Sequence, residues 1–195
     1  QVDDGRGGQQ LVWYLLYKVK NTGGHIRTVE ATDEFGNAQY EVEPATGNQR
    51  FLPVFVLRSH EIEKTYADQI LPGVRQMIHA REIRDPNVPL HDSVSITRVT
   101  LEPSTETTDK GVWGVAMWPI VDSETDFFSV YVQGLSNAYR WKDGKDKKPE
   151  LTFKTLQLNF WRPSDSIFQR TKEFRFGLPL YPDSTQTETI RKKYG

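Results

Sequence analysis

The sequence contains no cysteine. This absence excludes disulfide bonds, thiolate metal sites and cysteine nucleophiles together. It does not fix the compartment, because a chain without cysteine is stable in either redox setting. Long apolar runs are lacking too. No stretch approaches the roughly 20 consecutive apolar residues that a membrane-spanning helix needs, so we expect no membrane span in this chain.

A dominant charge of one sign is also missing. The 25 Lys and Arg residues almost balance the 26 Asp and Glu residues, which leaves a formal net charge of −1. Such a chain has no global field that would attract nucleic acid or an anionic membrane. In the basic stretch 142–148 lysines are interleaved with aspartates, which is typical of a solvated hairpin. We therefore expect no nucleic-acid partner.

Aromatic residues, in contrast, are abundant at 12% of the chain. Large rings are enriched in strands, and most apolar segments here alternate with period 2. Turn signals separate these segments, as at Asn21-Thr22-Gly23-Gly24 and Gly36-Asn37. The pattern predicts a mainly β fold, an antiparallel β-sandwich of immunoglobulin-like or jelly-roll-like type. A distorted barrel would give a similar pattern.

One segment, ILPGVRQMIHAREI, departs from this alternation and predicts a single inserted α-helix near residues 71–83. Pro72 is acceptable in a first helical turn. Four apolar residues share one helical stripe: Ile70, Val74, Met77 and Ile78.

After this helix the alternation resumes in SVSITRVTLEP. Its apolar positions are Val94, Ile96, Val99 and Leu101. This segment is therefore predicted to be another strand. The whole pattern divides the chain into an N-terminal tail (1–10), a β-sandwich domain (11–180) and a C-terminal tail (181–195).

Acidic residues occupy every second position at Asp122, Glu124 and Asp126, which is how a calcium loop of the helix-loop-helix type begins. Such a loop needs glycine at its sixth position and glutamate at its twelfth. Those positions hold Phe127 and Gln133. We interpret the segment as a solvated turn between two strands. A weak surface calcium site, completed by backbone carbonyls, remains the alternative.

Recognisable catalytic motifs are missing. The sequence has no G-x-S-x-G, no glycine-rich phosphate loop and no pair of histidines at i, i+4. We assign no catalytic residue, no cofactor and no metal. A hydrolase site assembled from distant segments stays open.

The five tryptophans have two interpretations, as core filling or as a platform for sugar rings. Trp113 and Trp118 lie five residues apart in one apolar segment and should face opposite sides of a strand. Trp141 precedes Lys142-Asp143-Gly144 at the end of a predicted strand. It is the candidate for an exposed ring that stacks on a carbohydrate.

The polar ends of the chain suggest assembly. Ordering each residue costs about 1–2 kcal/mol of backbone entropy, and segments 1–10 and 183–195 offer few apolar anchors. We expect one of them to contact another chain, with Arg191, Lys192 and Lys193 as candidates for pairing with a partner's acids. The first residue is Gln1, which fits a mature form that has lost a signal peptide.

Three stretches resemble a group of uncharacterised exported proteins of planctomycete-type bacteria: YKVKNTGG, GVWGVAMWPIVDSETDFFSVYVQGLSN and KTLQLNFWRPSDSIF. The resemblance covers most of residues 11–176. The first strand followed by Asn-Thr-Gly-Gly also resembles immunoglobulin-like sandwich domains of bacterial surface proteins. These resemblances imply a β-sandwich and a periplasmic, cell-surface or extracellular location. They bring no catalytic residues.

Three hypotheses of function follow. The first is a non-enzymatic exported structural or interaction protein that contacts copies of itself or another component of the bacterial cell envelope. The second is a carbohydrate-binding module that uses exposed aromatics. The third is a hydrolase whose site forms only in three dimensions.

Overall fold

The computed structural model describes residues 2–3, 9–45, 47–143, 149–162 and 174–177. Within these ranges the chain is mainly β with one short helix, as predicted. The strands are β1 (Val2–Asp3), β2 (Gln9–Gln10), β3 (Trp13–Val19), β4 (His25–Thr32), β5 (Ala38–Ala45), β6 (Val54–Ser59), β7 (Thr65–Ala67), β8 (Leu90–His91), β9 (Val112–Trp118), β10 (Phe127–Gln133), β11 (Tyr139–Asp143), β12 (Pro149–Phe153), β13 (Leu156–Trp161) and β14 (Arg175–Phe176).

Two main sheets form the body of the protein. The larger is antiparallel and has the strand order β14-β13-β10-β6-β7. The smaller has the order β3-β9-β8, in which β3 and β9 are antiparallel while β8 and β9 are parallel. One buried cluster takes side chains from both sheets, including Trp13 and Trp118 from the smaller and Phe55, Phe128 and Val130 from the larger. The sheets therefore pack face to face as a sandwich.

The smaller sheet is covered on its other face as well. The helix α1 (Pro72–Ile78) begins with proline in its first turn and continues as one π-helical turn, His79–Ile83. This agrees with the helix predicted near 71–83. Val74 and Ile78 pack with Val115 and Met117 of β9. Alternate residues of β9 therefore face the helix and the sandwich core, which explains why this strand is apolar on both faces.

The predicted helical stripe is only partly correct. Val74 and Ile78 are buried, but Ile70 and Met77 are exposed. Ile70 precedes the helix. Met77 lies on its flank, because a contact with the sheet through Val74 and Ile78, four residues apart, uses a narrow side of the helix.

The strand predicted over 94–101 is wrong. Residues Ser95–Arg98 form a 3₁₀ helix instead. The Asp92 carboxylate accepts hydrogen bonds from the backbone amides of Val94 and Ser95, at 3.2 and 2.7 Å. Such side chain–backbone bonds compete with a sheet ladder. Ile96 still reaches the core, where it is fully buried.

The remaining described strands form two-stranded sheets of their own. These are β1 with β2, β4 with β5, and β11 with β12. No helical segment in the described part of the chain combines the length and apolarity of a membrane-crossing helix.

Candidate functional site

The β4–β5 ribbon, residues 25–45, is named the acidic arm here. Its antiparallel register pairs Ile26 with Pro44, Thr28 with Val42 and Glu30 with Tyr40, which places these six side chains on one face. Ile26, Val42 and Tyr40 are 68%, 62% and 68% exposed. An apolar face therefore lies open to solvent on a ribbon that pairs with no other described strand.

The tip of the acidic arm is well organised. The Asp33 carboxylate accepts hydrogen bonds from the backbone amides of Phe35 and Asn37 and from the Asn37 side chain. These bonds, with the Asn37 side chain first, hold the pKa of Asp33 below its usual range. The predicted turn at Gly36-Asn37 is confirmed, with Gly36 at a φ of 83°.

Asn21 fixes the base of the acidic arm. This buried side chain donates hydrogen bonds to the carbonyl oxygens of Gly47 (2.9 Å) and Leu101 (3.1 Å). Gln49, just after the arm, pairs with Leu101 through two backbone hydrogen bonds. The chain entering the arm and the chain leaving it are thus held at one point, so the direction of the arm is set by the body.

The second ribbon, β11 with β12, is named the basic arm. Tyr139 pairs with Phe153, and their ring centroids are 6.3 Å apart. Tyr139, Leu151 and Phe153 are 59%, 54% and 51% exposed and share one face by register. Trp141 is the register partner of Leu151. Its side chain lies outside the described residues, and its role in sugar stacking stays a prediction.

The basic arm is inserted in the chain between β10 and β13, two strands of the larger sheet that pair with each other. Its base is closed by a hydrogen bond from the Lys154 amide to the Ala138 carbonyl, at 2.9 Å. The chain turns at Gly134, whose φ is 91°. A Cβ at this position would meet the Leu52 carbonyl oxygen. Glycine is therefore needed where the ribbon leaves the body.

A polar cluster lies on the outer face of the larger sheet. His60 Nε2 is 2.7 Å from Ser129 Oγ, and the Ser129 hydroxyl donates to Asn159 Oδ1 at 2.7 Å. Gln157 Nε2 donates to Ser129 Oγ and to Asn159 Oδ1, at 3.3 and 2.8 Å. Sequence reasoning missed this cluster, since His60 and Ser129 are 69 residues apart and only the strand register joins them.

The cluster places a serine beside a histidine, but it does not resemble an activated nucleophile. A hydroxyl has one hydrogen and two lone pairs. The Ser129 hydroxyl donates to Asn159 Oδ1 and accepts from Gln157 Nε2, and the His60 ring nitrogen is its third polar neighbour. Ser129 is also fully buried in the middle of a strand. Ser129 Oγ is therefore enclosed by three polar neighbours within the sheet.

Three aromatic residues share the outer face with this cluster. Phe127, Tyr131 and Trp161 are half-buried, and Phe127 is the register partner of Trp161. The Arg175 guanidinium lies 5.1 Å from the Trp161 ring centroid, within the range of a cation–π contact. This face thus combines rings with the amides of Gln157 and Asn159.

The first and the last of the three alternating acids have separate partners. The Asp122 side chain accepts a hydrogen bond from the Glu124 amide, and the Asp122 backbone carbonyl accepts one from the Thr125 amide, so that the segment forms a turn. Asp126 pairs instead with Arg162, at 2.9 Å. Arg162 is 5% exposed and also donates to the Ser123 carbonyl. Across the described residues no group of three His, Asp or Glu side chains is placed to hold a metal ion.

Tyr17 is a polar residue that the sequence did not single out. Its hydroxyl is buried and has no hydrogen-bond partner among the described residues. Burial, followed by the charges of Asp68 and Asp92, raises the pKa of Tyr17 above its usual range. Burial similarly raises the pKa of Asp68, whose carboxylate accepts a 2.5 Å hydrogen bond from Ser93.

His79 and His91 lie in separate environments. His79 Nε2 lies 2.7 Å from the Val88 carbonyl, and burial lowers the pKa of His91. The imidazole of His25 lies outside the described residues.

The described part of the N-terminal tail makes contacts within its own chain. In the N-terminal segment β1 pairs with β2, and the Gln10 side chain donates to the Pro119 carbonyl at 2.8 Å. Arg191, Lys192 and Lys193 lie outside the described residues, so their pairing with another chain stays a prediction.

The tryptophans divide between core and surface. Trp13 and Trp118 are buried in the sandwich core. Trp113 faces the helix side of β9, with Lys18 Nζ 5.6 Å from its ring centroid. The prediction that Trp113 and Trp118 face opposite sides of one strand is confirmed.

Comparison with protein-family models, with curated proteins and with solved structures finds no match for this chain.

Proposed function

We propose that this chain is a non-enzymatic structural or interaction protein whose two arms make assembly contacts with other proteins. The observation that carries the proposal is the open apolar face on each arm. A two-stranded ribbon is at best marginally stable in water by itself. Both ribbons expose at least three large apolar side chains on one face, and exposed apolar patches of this kind mark interaction sites.

The attachment of both arms supports an interaction role. Asn21 holds the base of the acidic arm, and the backbone bond between Lys154 and Ala138 closes the base of the basic arm. A binding element that is already held in its direction loses less conformational freedom when it meets its partner.

The non-enzymatic part of the proposal rests on Ser129. Its hydroxyl is the one that lies beside an imidazole at 2.7 Å within the described residues, and it is buried and also bonded to Asn159 and Gln157. We interpret the cluster as a hydrogen-bond network that links β10 to β13 and to the end of β6.

The test uses a photo-crosslinking amino acid in the cells that make the protein. It is placed at Tyr40 in the acidic arm or at Tyr139 in the basic arm. Ile120, which is 70% exposed outside both arms, is the matched control. We expect crosslinked species from the two arm positions and none from Ile120. Equal crosslinking at all three positions, or none at the arms, would contradict the proposal.

The proposal also places the protein outside the cytoplasm, at the envelope or beyond it. Its support is the resemblance to exported bacterial proteins in the three stretches quoted above. Fractionation of producing cells, with detection by antibody, tests this part separately. Recovery of the protein in the cytoplasmic fraction alone would contradict it.

A second candidate function is carbohydrate binding by the outer face of the larger sheet. It is favoured by one observation, the half-buried row of Phe127, Tyr131 and Trp161 beside the amides of Gln157 and Asn159. A glycan array probed with the native chain, Trp161→Ala and Trp141→Ala tests it. Binding that Trp161→Ala abolishes would support this candidate, and an array without signal would remove it.

A further inference from the structure

The outer face of the larger sheet carries two arginines. The strand registers pair Arg58 with Ser129 and Arg175 with Trp161, so both arginines point to the side that bears the polar cluster and the aromatic row. Among the described residues, no Asp or Glu occupies an outward position of β6, β7, β10, β13 or β14. The strands of this face therefore contribute positive charge and no carboxylate.

Both arginines are exposed. The ion pairs between basic and acidic side chains in the described part of the chain include neither Arg58 nor Arg175. The acid nearest to Arg58 in the sequence is Glu61. Its carboxylate accepts hydrogen bonds from the Phe127 amide and the Ser59 hydroxyl, at 2.5 and 3.1 Å. No carboxylate of the described chain therefore neutralises either guanidinium.

The two arginines stand on opposite sides of the aromatic row. In the strand order β14-β13-β10-β6, Arg175 lies on the first strand and Arg58 on the last, so three interstrand spacings, about 14 Å, separate the two strands. Trp161 lies between them on β13, and Phe127 and Tyr131 lie between them on β10. A ligand that reaches both cations must therefore cross the aromatic rings.

We propose that this face binds a polysaccharide whose sugar rings carry acidic groups, either carboxylate or sulfate. The inference rests on the second candidate function above, because it names the class of ligand for the same face. Binding sites for small molecules combine aromatic side chains with a few placed polar groups. A guanidinium donates two parallel hydrogen bonds to an acidic group with two adjacent oxygens.

The charges select an acidic ligand over a neutral one. A neutral sugar could contact the rings and the amides of Gln157 and Asn159, but it would leave both arginines without a counter-charge. The separation of the arginines selects a polymer over a single sugar, because one ring cannot reach both. Arg175 is held by the Trp161 ring, with 5.1 Å between the guanidinium and the ring centroid, and a guanidinium can stack on a ring while it binds an acid.

The test measures binding of the purified full chain by native electrophoresis in gels that contain a polymer. Two pairs of polymers are compared: polygalacturonate with its methyl ester, and dextran sulfate with dextran. The two members of a pair share a backbone, and only one of them is charged. This comparison changes the ligand and leaves the protein intact, so it does not depend on the folding of a variant. We expect retardation by polygalacturonate, by dextran sulfate or by both, and none by the uncharged members.

Variants locate the binding site on the chain. Arg58→Gln and Arg175→Gln each remove one charge from the face. Arg98→Gln is the matched control, because exposed Arg98 lies on the 3₁₀ helix whose Ile96 packs into the core. We expect each face variant to bind the charged polymer about tenfold more weakly, the effect of losing a hydrogen bond to a charged group. Arg98→Gln should bind like the native chain, and circular dichroism checks the fold of all three.

Three results would overturn the inference. Equal binding to the charged and uncharged members of both pairs would do so and would leave carbohydrate binding itself standing. Equal weakening by Arg98→Gln would show that binding follows net charge instead of this face. Binding to none of the four polymers would also overturn it, while crosslinks from the arms in cells would leave the main proposal standing.

Discussion

The ring of Tyr17 occupies the space that a side chain at Gly114 would need. The two residues are register partners on β3 and β9. A Cβ atom built on Gly114 would overlap the Tyr17 ring and its hydroxyl oxygen. An aromatic residue opposite a strand glycine covers the backbone that the glycine leaves bare. The pair therefore closes the sandwich core at this position.

We expect Gly114→Ala to lower the free energy of unfolding by about 1–3 kcal/mol, the usual cost of overpacking. Gly73→Ala is the matched control, since no atom beyond its chain neighbours and its own helix backbone lies within 4 Å of its Cβ position. Gly73 lies in α1, where alanine is favoured over glycine by up to about 1 kcal/mol. Urea denaturation of both variants measures the difference. Equal stability of the two would contradict the packing argument.

Tyr17→Phe should leave the free energy of unfolding unchanged or raise it by about 1 kcal/mol, because it removes a buried hydroxyl without a partner. Tyr66→Phe is the contrasting variant, since the Tyr66 hydroxyl accepts the Asp122 amide at 3.2 Å. Loss of this hydrogen bond in Tyr66→Phe should lower the free energy of unfolding by about 1 kcal/mol. A destabilised Tyr17→Phe would show that the Tyr17 hydroxyl has a partner.

The same residue predicts a pH dependence. The pKa of Tyr17 is raised in the folded state, so the unfolded chain releases this proton first as pH rises. The stability linked to Tyr17 is therefore complete below about pH 10, the ordinary tyrosine pKa, and is lost above it. Thermal unfolding between pH 9 and pH 11 should show a steeper loss in the native chain than in Tyr17→Phe. Parallel curves would refute this assignment.

Ser129 should not react with a fluorophosphonate probe, because its hydroxyl is buried and enclosed by three polar neighbours. Ser129→Ala should lower the free energy of unfolding by about 1–3 kcal/mol, because it removes the oxygen atom that His60, Asn159 and Gln157 all contact. Mass spectrometry after probe treatment and urea denaturation give the two results. Labelling that Ser129→Ala abolishes would favour the hydrolase hypothesis.

Arg162→Ala should lower the free energy of unfolding by about 2 kcal/mol or more. It removes a nearly buried guanidinium that bonds Asp126 and the Ser123 carbonyl. Lys110→Ala is the control, because its pair with Glu102 is exposed on both sides and such pairs contribute about 0–1 kcal/mol. Similar costs for both variants would contradict the role given to burial.

Calcium titration followed by calorimetry should show no micromolar site at Asp122, Glu124 and Asp126. Asp126 is bonded by Arg162, which competes with a cation for its carboxylate, and a tight calcium site needs several converging oxygen ligands. Micromolar binding that Asp122→Ala abolishes would prove this expectation wrong.

The sequence predicted those elements whose apolar period was unambiguous. The helix near 71–83, the turn at Gly36-Asn37 and the strand that contains Trp113 and Trp118 are confirmed. The strand over 94–101 failed because the Asp92 carboxylate, two residues upstream of Val94, captures backbone amides that a sheet would use. Period alone contains no information on this competition.

The surfaces relevant to function were harder to predict. His60 meets Ser129 through the register of β6 on β10, which depends on packing between distant segments. The sequence also did not predict that the two arms form sheets separate from the main ones. Ile26, Val42 and Tyr40 alternate as they would in a strand that covers a core. The pattern specifies a ribbon, and only the fold determines whether anything lies against it.

The attachment points of the arms determine how the protein would bear mechanical load. The acidic arm continues from β3 in the smaller sheet, and the basic arm is inserted between β10 and β13 of the larger one. Tension between neighbours in an assembly would therefore pass from one sheet to the other across the shared core of Trp13, Phe128 and Val130. We expect resistance to pulling to depend on the fit between the sheets, with no single strand pair as the weak point.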